Sequence, residues 1–448
     1  MKKLIKKLSL PAYLDKENIL SLSKQFGALR KRFNVILISI DALRPDHLGS
    51  YGYHRNTSPN IDGFASKSTV FKNAFSASSW TVPSHMSLFT GLYPSKHRQI
   101  FYPSPGAGKK EFQMFPEILK KYGYFNVGFH GGGYMSPLFG FNRGFHKYVS
   151  YGTRYEDSLD SCLKWLRRFN KYGVRFFLFL HGFNCHHPYK VPEDFDIFSA
   201  NGITNNYVTG LMADGGVKKN DSDLQAIVDK YDGEIRYSDH LIGKIIEELE
   251  RLRLIDHTAV LITSDHGEQF QEHGITGHVY GLYDEIVRIP FIMYIPGMPK
   301  GRVIYEMVSM VDIMPTILDI LNIKSNEKCN GKTLLNLIKD KKDMERGYIL
   351  AETGFLSQNQ KKFYRAVRTD INKLILNEKN IPDAFYDLVL DPLEQKNILH
   401  DSNYDISKLI CLLKQDDFSD EIDLSDTGEQ HHAINNDIKK QLKALGYF

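Results

Sequence analysis

Cysteine is scarce in this 448-residue chain: Cys162, Cys185, Cys329 and Cys411 stand far apart, with no CxxC pair. That spacing argues against a disulfide framework or a thiolate metal site and suits reduced thiols in a cytosol. Long apolar runs are missing too. None reaches the ~18 residues that a spanning helix needs. The opening MKKLIKKLSLPAYL is interrupted by Lys6 and Lys7, so it offers neither a signal-peptide core nor a small-residue cleavage site. Charge of one sign is in short supply: 57 basic residues against 53 acidic leave a net +4, too little at this length to argue for a nucleic-acid partner. Internal repeats are absent. The expectation is a cytoplasmic protein. Its early basic residues (Lys2, Lys3, Lys6, Lys7, then Arg30, Lys31, Arg32) form either a solvated leader or a peripheral contact with an anionic membrane. Oligomeric state is not legible.

With 42% apolar and 25% charged residues, the chain has ordinary globular composition and ample length for a large core. Residues 1–33 read as a basic N-terminal extension, 34–345 as the main domain and 346–448 as a C-terminal subdomain. NVILISID (Asn34–Asp41) is an almost wholly apolar run closed by a carboxylate, the pattern of a buried parallel strand. Arg175–Phe183, Thr258–Asp265 and Ile289–Ile295 read the same way. Between them Tyr231–Leu254 carries apolar residues at helical spacing. Strand–helix alternation predicts an α/β fold, a mainly parallel central sheet flanked by helices, with sites beyond the carboxyl ends of the strands. Val311–Leu321 reads as one more helix. FYRAVRTD, KLILN and FYDLVLDPLEQKNIL predict a small antiparallel C-terminal sheet, and the acidic stretch Asp416–Asp437, with His431 and His432, a solvated loop.

Two strand ends carry metal-type ligands. Asp41 closes the first strand, where an Asp can also serve as a helix cap. Asp265, His266 and Glu268 follow another, in TSDHGE, where buried charge calls for a partner: a metal or a structural network. Between these lies SSWTVPSHMSLFTG (Ser78–Gly91). Thr81 stands at an N-cap position, with Val82 and Pro83 in the first turn, where proline is tolerated. A helix N-terminus attracts anions, and a hydroxyl there on a metal is a candidate nucleophile. The bland alternative is a simple cap.

These motifs, in order, resemble the sulfatase family of the alkaline phosphatase superfamily: VILISIDALRPDHLGSYGY, SPNIDGFA, WTVPSHMSLFTGLYP, FLHGFNCHHPY, YDGEIRYSDHLIG, TSDHGEQFQEHG, GHVYGLYDEIVRIPFI, VDIMPTILD, FYDLVLDPLEQKNI and KKQLKALGYF. The likeness covers roughly residues 34–448 and implies that 34–345 is the catalytic domain. It implies one divalent metal on Asp41, Asp265, His266 and the Thr81 oxygen. His186 matches a His that contacts the substrate anion. His278 matches a substrate-binding Lys or His, there to protonate a leaving oxygen or bind the anion.

The sequence departs from the family at three places. Ala42 replaces a second Asp, His85 replaces the Arg that ends the nucleophile motif, and Thr81 replaces the Cys or Ser that is oxidised to formylglycine. An imidazole ligand and the lost Asp favour manganese or zinc, with calcium or magnesium still open. Threonine is no substrate for that oxidation, whereas superfamily phosphoglycerol and phosphoethanolamine transferases use Thr. Thr81 therefore points to phosphoester, especially diester, hydrolysis through a phospho-Thr intermediate. The alternatives are a phosphoryl-group transferase on a glycan or lipid precursor, a true sulfuric ester hydrolase, and a non-catalytic binder of anionic glycans. The expected partner is an anionic ester, glycan- or lipid-linked in some of these readings. His85 braces Thr81 or caps a turn. His181, His187, His240 and His273 line the pocket or simply pack. Arg44 and Lys96 meet an anion or lie at the surface, and Cys185 has no catalytic role.

Overall fold

The computed structural model describes residues 33–102, 112–213, 216–341, 346–357, 360–401, 405–415 and 436–445. The basic extension, apart from Phe33, and most of the acidic stretch with His431 and His432 lie outside the described residues.

A nine-stranded sheet forms the centre. From one edge its order is β11 (Arg302–Ile304), β2 (Thr69–Phe75), β10 (Arg288–Tyr294), β7 (Thr258–Thr263), β1 (Asn34–Ile40), β6 (Phe176–Gly182), β4 (Phe125–Phe129) and β5 (Lys147–Val149), with β12 (Val308–Ser309) beside β2. The middle of the sheet is parallel: β1 pairs with β6 and β7, and β4 with β5 and β6. The segment read as a fourth parallel strand, Ile289–Ile295, instead runs antiparallel to both β7 and β2. An apolar run bounded by turns reports burial, not direction, so sequence alone left that orientation open.

Every residue of β1 is buried, and its side chains alternate between two cores. Val35 and Leu37 enter the core that includes Val82, Leu88 and Phe89 of the helix Thr81–Thr90 and Ile313 and Ile317 of the helix Ile313–Ile320. Ile36, Ile38 and Ile40 enter the other, against the helices Tyr155–Tyr172 and Asp221–Arg251. The two-residue period of a strand covered on both faces explains why so few polar positions interrupt it. The helix foreseen at Tyr231–Leu254 starts ten residues earlier, at Asp221, where Asn220 caps it by accepting the Asp223 N–H. No described helix is long and apolar enough to cross a membrane.

The C-terminal sheet has the order β16 (Pro382–Asp387), β15 (Asn372–Leu376), β14 (Gln360–Arg368), β13 (Ile349–Ser357) and β3 (Phe101–Tyr102). Its first four strands are antiparallel, as expected, but β3 comes from the main domain and joins β13 in parallel. That strand brings the C-terminal sheet up to the segment that follows the Thr81 helix. A two-stranded ribbon, β8 (Gln269–Phe270) and β9 (Thr276–Gly277), follows the DHGE turn.

Candidate metal and ester-binding site

The carboxyl ends of β1, β6 and β7 meet the N-terminus of the helix Thr81–Thr90. All ten residues of this helix are buried. Trp80 takes the N-cap place and Thr81 is the first helical residue, so the helix begins one residue earlier than the sequence suggested. The shift leaves the Thr81 hydroxyl uncommitted to capping, and it donates to Asp41 Oδ2 at 3.4 Å.

Asp41 leaves β1 just before Ala42, whose φ of 59° turns the chain sharply. That turn aims the Ala42 N–H at Asp265 Oδ1 (3.3 Å), while the Leu43 N–H reaches Ser264 Oγ (3.0 Å). The two carboxylate-bearing strand ends are thereby tied to each other. Gly267 closes the DHGE turn against the chain at Glu285: a Cβ there would meet the Glu285 carbonyl at 2.1 Å. Only glycine allows that approach.

Three side-chain atoms in this cluster are fully buried and lack a hydrogen-bond partner: Asp41 Oδ1, Asp265 Oδ2 and His266 Nε2. The residues that carry them form a group whose ligand atoms lie within 4.8 Å of one another. The hydrogen bonds around them explain which atoms are left over. His266 Nδ1 donates to the Gly267 carbonyl (2.9 Å), so Nε2 keeps its lone pair. The Gly131 N–H points at His181 Nδ1 (3.4 Å), so His181 Nε2 donates to Asp41 Oδ2 (3.1 Å) and leaves Oδ1 free. Buried polar atoms are seldom orphaned, and two carboxylates converging on an unprotonated imidazole nitrogen make a donor set suited to a divalent cation. The residues fit the metal that the resemblance implies, with Thr81 Oγ1 beside them.

Electrostatics describe the same unmet need. Burial, then the neighbouring Asp265, raises the Asp41 carboxyl well above its ordinary value. Burial drives His85 down to about 3 and His181 to about 4, so both rings are neutral.

His85 braces the Thr81 backbone. Its Nδ1 donates to the Thr81 carbonyl (3.0 Å), and its Nε2 accepts from Ser39 Oγ (2.9 Å). His186 and His278, far apart in sequence, come together: their ring centroids lie 4.9 Å apart, and His278 lies 4.1 Å from His266. His278 Nδ1 bonds Glu268 Oε1 at 3.0 Å, with both side chains almost fully buried. Burial, then His278, lowers His186 well below its usual value.

The remaining candidates separate. His187 bonds the Thr209 carbonyl at 3.4 Å. His240 packs on Phe195, and His273 is clamped between Glu285 and the Glu394 carbonyl while stacked on Tyr283. Arg44 is paired with Asp46 and Glu272 and donates to the Glu268 carbonyl. Lys96 sits in the short helix Pro94–His97, and Cys185 is buried with its Sγ 3.8 Å from Ser238 Oγ. Sequence reasoning undervalued His181 and Glu268 and missed Ser39. His181 pairs in register with Ser39, two residues before Asp41, a relation that residue identity alone does not carry.

The sulfatase family model matches residues 33–323, and a model of the N-sulphoglucosamine sulphohydrolase C-terminal region matches residues 272–421. The chain belongs to the sulfatase family, a family of ester hydrolases. An arylsulfatase of Clostridium perfringens is 24% identical, over 83% of this chain and 91% of its own. The phosphonate monoester hydrolase of Agrobacterium radiobacter shares the fold, with a TM-score of 0.70 and 20% identity over 87% of this chain and 95% of its own. So does a protein solved with its substrate D-glucosamine-2-N,6-O-disulfate, with a TM-score of 0.70 and 19% identity over 88% and 100%.

Proposed function

We propose that this chain is a metal-dependent ester hydrolase in which Thr81 Oγ1 attacks the central atom of an anionic ester, with phosphorus esters preferred over sulfates. One observation carries the reading: an uncapped hydroxyl at the N-terminus of a buried helix, 3.4 Å from Asp41 and next to three orphaned ligand atoms. Asp41, Asp265, His266 and Thr81 would hold one divalent ion, manganese or zinc for preference, which lowers the charge on the ester and favours the ionised hydroxyl. The helix N-terminus favours an anion at the same place. The Thr81 proton is directed at Asp41 Oδ2. As the Thr81 oxygen bonds to phosphorus, the ester's alcohol departs with a proton from His278, whose ring Glu268 orients, while His186 contacts the anion. Water then cleaves the phospho-Thr81 adduct at phosphorus and restores the hydroxyl. A sulfate adduct on threonine lacks the carbon–oxygen exit open to a geminal diol.

Hydrolysis of a sulfate ester is the second reading, favoured by the activity named for the Clostridium perfringens relative. The substrate of the disulfated-glucosamine neighbour extends it to sulfated sugars. Transfer of the phosphoryl group to a second alcohol is the third. The test is a panel of 4-nitrophenyl phosphate mono- and diesters, a phosphonate monoester and a sulfate, run with manganese or zinc beside Thr81→Ala. Phospho-Thr81 trapped by mass spectrometry supports the proposal. Efficient sulfate turnover that survives in Thr81→Ala overturns both the nucleophile and the preference for phosphorus. Turnover only with an added alcohol identifies a transferase.

A further inference from the structure

One hydrogen-bond node joins three segments beside the nucleophile. Ser79 Oγ donates to the Val279 carbonyl (2.9 Å) and lies 2.7 Å from Thr353 Oγ1, and the Val279 N–H returns to the Ser79 carbonyl (3.3 Å). Ser79 lies two residues before Thr81, Val279 directly follows His278, and Thr353 belongs to β13. Neighbouring residues on all three segments are aromatic. Tyr280 packs edge-on against Phe355 at 4.7 Å, and Phe355 pairs in register with Tyr102. Tyr102 meets Trp80 at 5.5 Å. Burial and then the nearby Tyr280 push the Tyr102 phenol up to about 12. Tyr280 is nonetheless 49% exposed, a large ring left in solvent one residue beyond the node that fixes His278 and Thr81.

We propose that Tyr280, with Phe355 and Tyr102, forms a subsite that holds the alcohol part of the ester by stacking on the flat apolar face of a six-membered ring. The proposal rests on the ester-hydrolase reading and adds the substrate class: a ring-bearing alcohol rather than a linear one. An aromatic ring held edge-on by a second aromatic offers its own face to a ligand at little conformational cost. The phenol adds a hydroxyl at the rim of that face for a polar substituent. The C-terminal sheet then has a task in recognition, because it supplies Phe355 and holds the Tyr102 strand.

The experiment is calorimetric titration of the manganese-loaded protein with ethyl, benzyl and glucose 6-esters of sulfate and of phosphate. Ring esters are expected to bind ~10-fold more tightly than the ethyl ester. That advantage should collapse in Tyr280→Ala and persist in Tyr280→Phe. The gain of the benzyl ester against that of the glucose ester tells an aryl group from a pyranose. Equal binding of ring and ethyl esters by the unaltered protein, or an advantage that persists in Tyr280→Ala, overturns the subsite. Turnover of 4-nitrophenyl esters, measured alongside, reports on the hydrolase reading separately: a protein that turns them over but gains nothing from a ring loses only the subsite.

Discussion

Asp41→Asn should make the metal-free protein more stable while destroying its response to metal. In the absence of an ion, Asp41 and Asp265 place carboxylate oxygens within 4.8 Å of each other in a fully buried cluster. Two unit charges at that distance repel by about 3 kcal/mol at an effective dielectric constant of ~20. Protonation of Asp41 relieves part of this, in keeping with its raised pKa. An Asn keeps an acceptor for the His181 and Thr81 hydrogen bonds and places an amide where Oδ1 has no partner. The expected gain is about 1–3 kcal/mol, since an uncompensated buried charge is removed. Unfolding entropy for 448 residues comes to about 0.9 kcal/mol/K, so Tm should rise by about 1–3 °C. The unaltered protein should gain about 4 kcal/mol, or about 4 °C, when manganese or zinc is supplied at ~1,000 times its Kd. Scanning calorimetry on chelator-treated and metal-loaded samples reads both effects. A variant that is several degrees less stable without metal, yet still rises normally with it, would show that Asp41 is no ligand and that its carboxylate is structurally satisfied.

Protein purified without chelator should contain about one equivalent of divalent metal by elemental analysis, and His266→Ala should lose it. His186→Ala and His278→Ala should each lower turnover ~10²-fold or more; near-normal rates for both on a good substrate would refute their place in the anion pocket. Acid should unfold the protein through buried histidines outside the Asp41, Asp265 and His266 group. His97, His130 and His146 each accept a backbone N–H at Nδ1, from Gln99, Gly132 and Asn126 (3.1 Å in each case), which a doubly protonated ring cannot do. Burial lowers them to about 3, about 3 and about 4. Their folded values lie below the unfolded ~6.5, so their contribution is complete above that pH and is lost as pH falls, by about 2 kcal/mol per ring at pH ~5. The urea midpoint should therefore drop between pH ~7 and ~5, and less so in His97→Asn; a flat profile contradicts the assignment.

Much of the candidate site was legible because two carboxylates and an imidazole stand at buried strand ends that are otherwise apolar. Asp41 and the Asp265–His266 pair interrupt apolar runs at a place where charge is costly, so they declared themselves without any contact being known. The central sheet was legible for the related reason that strands covered on both faces read as unbroken apolar runs. Direction was not, and Arg288–Tyr294 shows why: burial is the same in either orientation, and only the pairing partner differs. Position within a helix cap was equally hidden. Whether Thr81 caps the helix or begins it depends on its own φ and ψ, to which residue identity is nearly blind.

His181 marks a different boundary. Its identity is visible, but its importance comes from a register, Ser39 opposite His181, that sets the imidazole beside the Asp41 carboxylate. A histidine at the end of an apolar strand is more often merely packed, and only the neighbouring strand tells the cases apart. The departures from the family now belong to one change. Where the family has arginine, His85 is neutral, braces the Thr81 carbonyl and is held by Ser39. Ala42, in place of a second Asp, takes a positive φ and gives its N–H to Asp265. A permanent cation and a carboxylate are gone together, so the local charge balance is kept while the pocket becomes an imidazole-lined one. Such a pocket has less fixed positive charge to offer a dianion, and that weighs towards esters carrying a single negative charge: phosphodiesters, phosphonate monoesters and sulfates. Among these the role proposed for Thr81 favours phosphorus, because an adduct on threonine would have to be cleared at its central atom, and phosphorus accepts that attack by water.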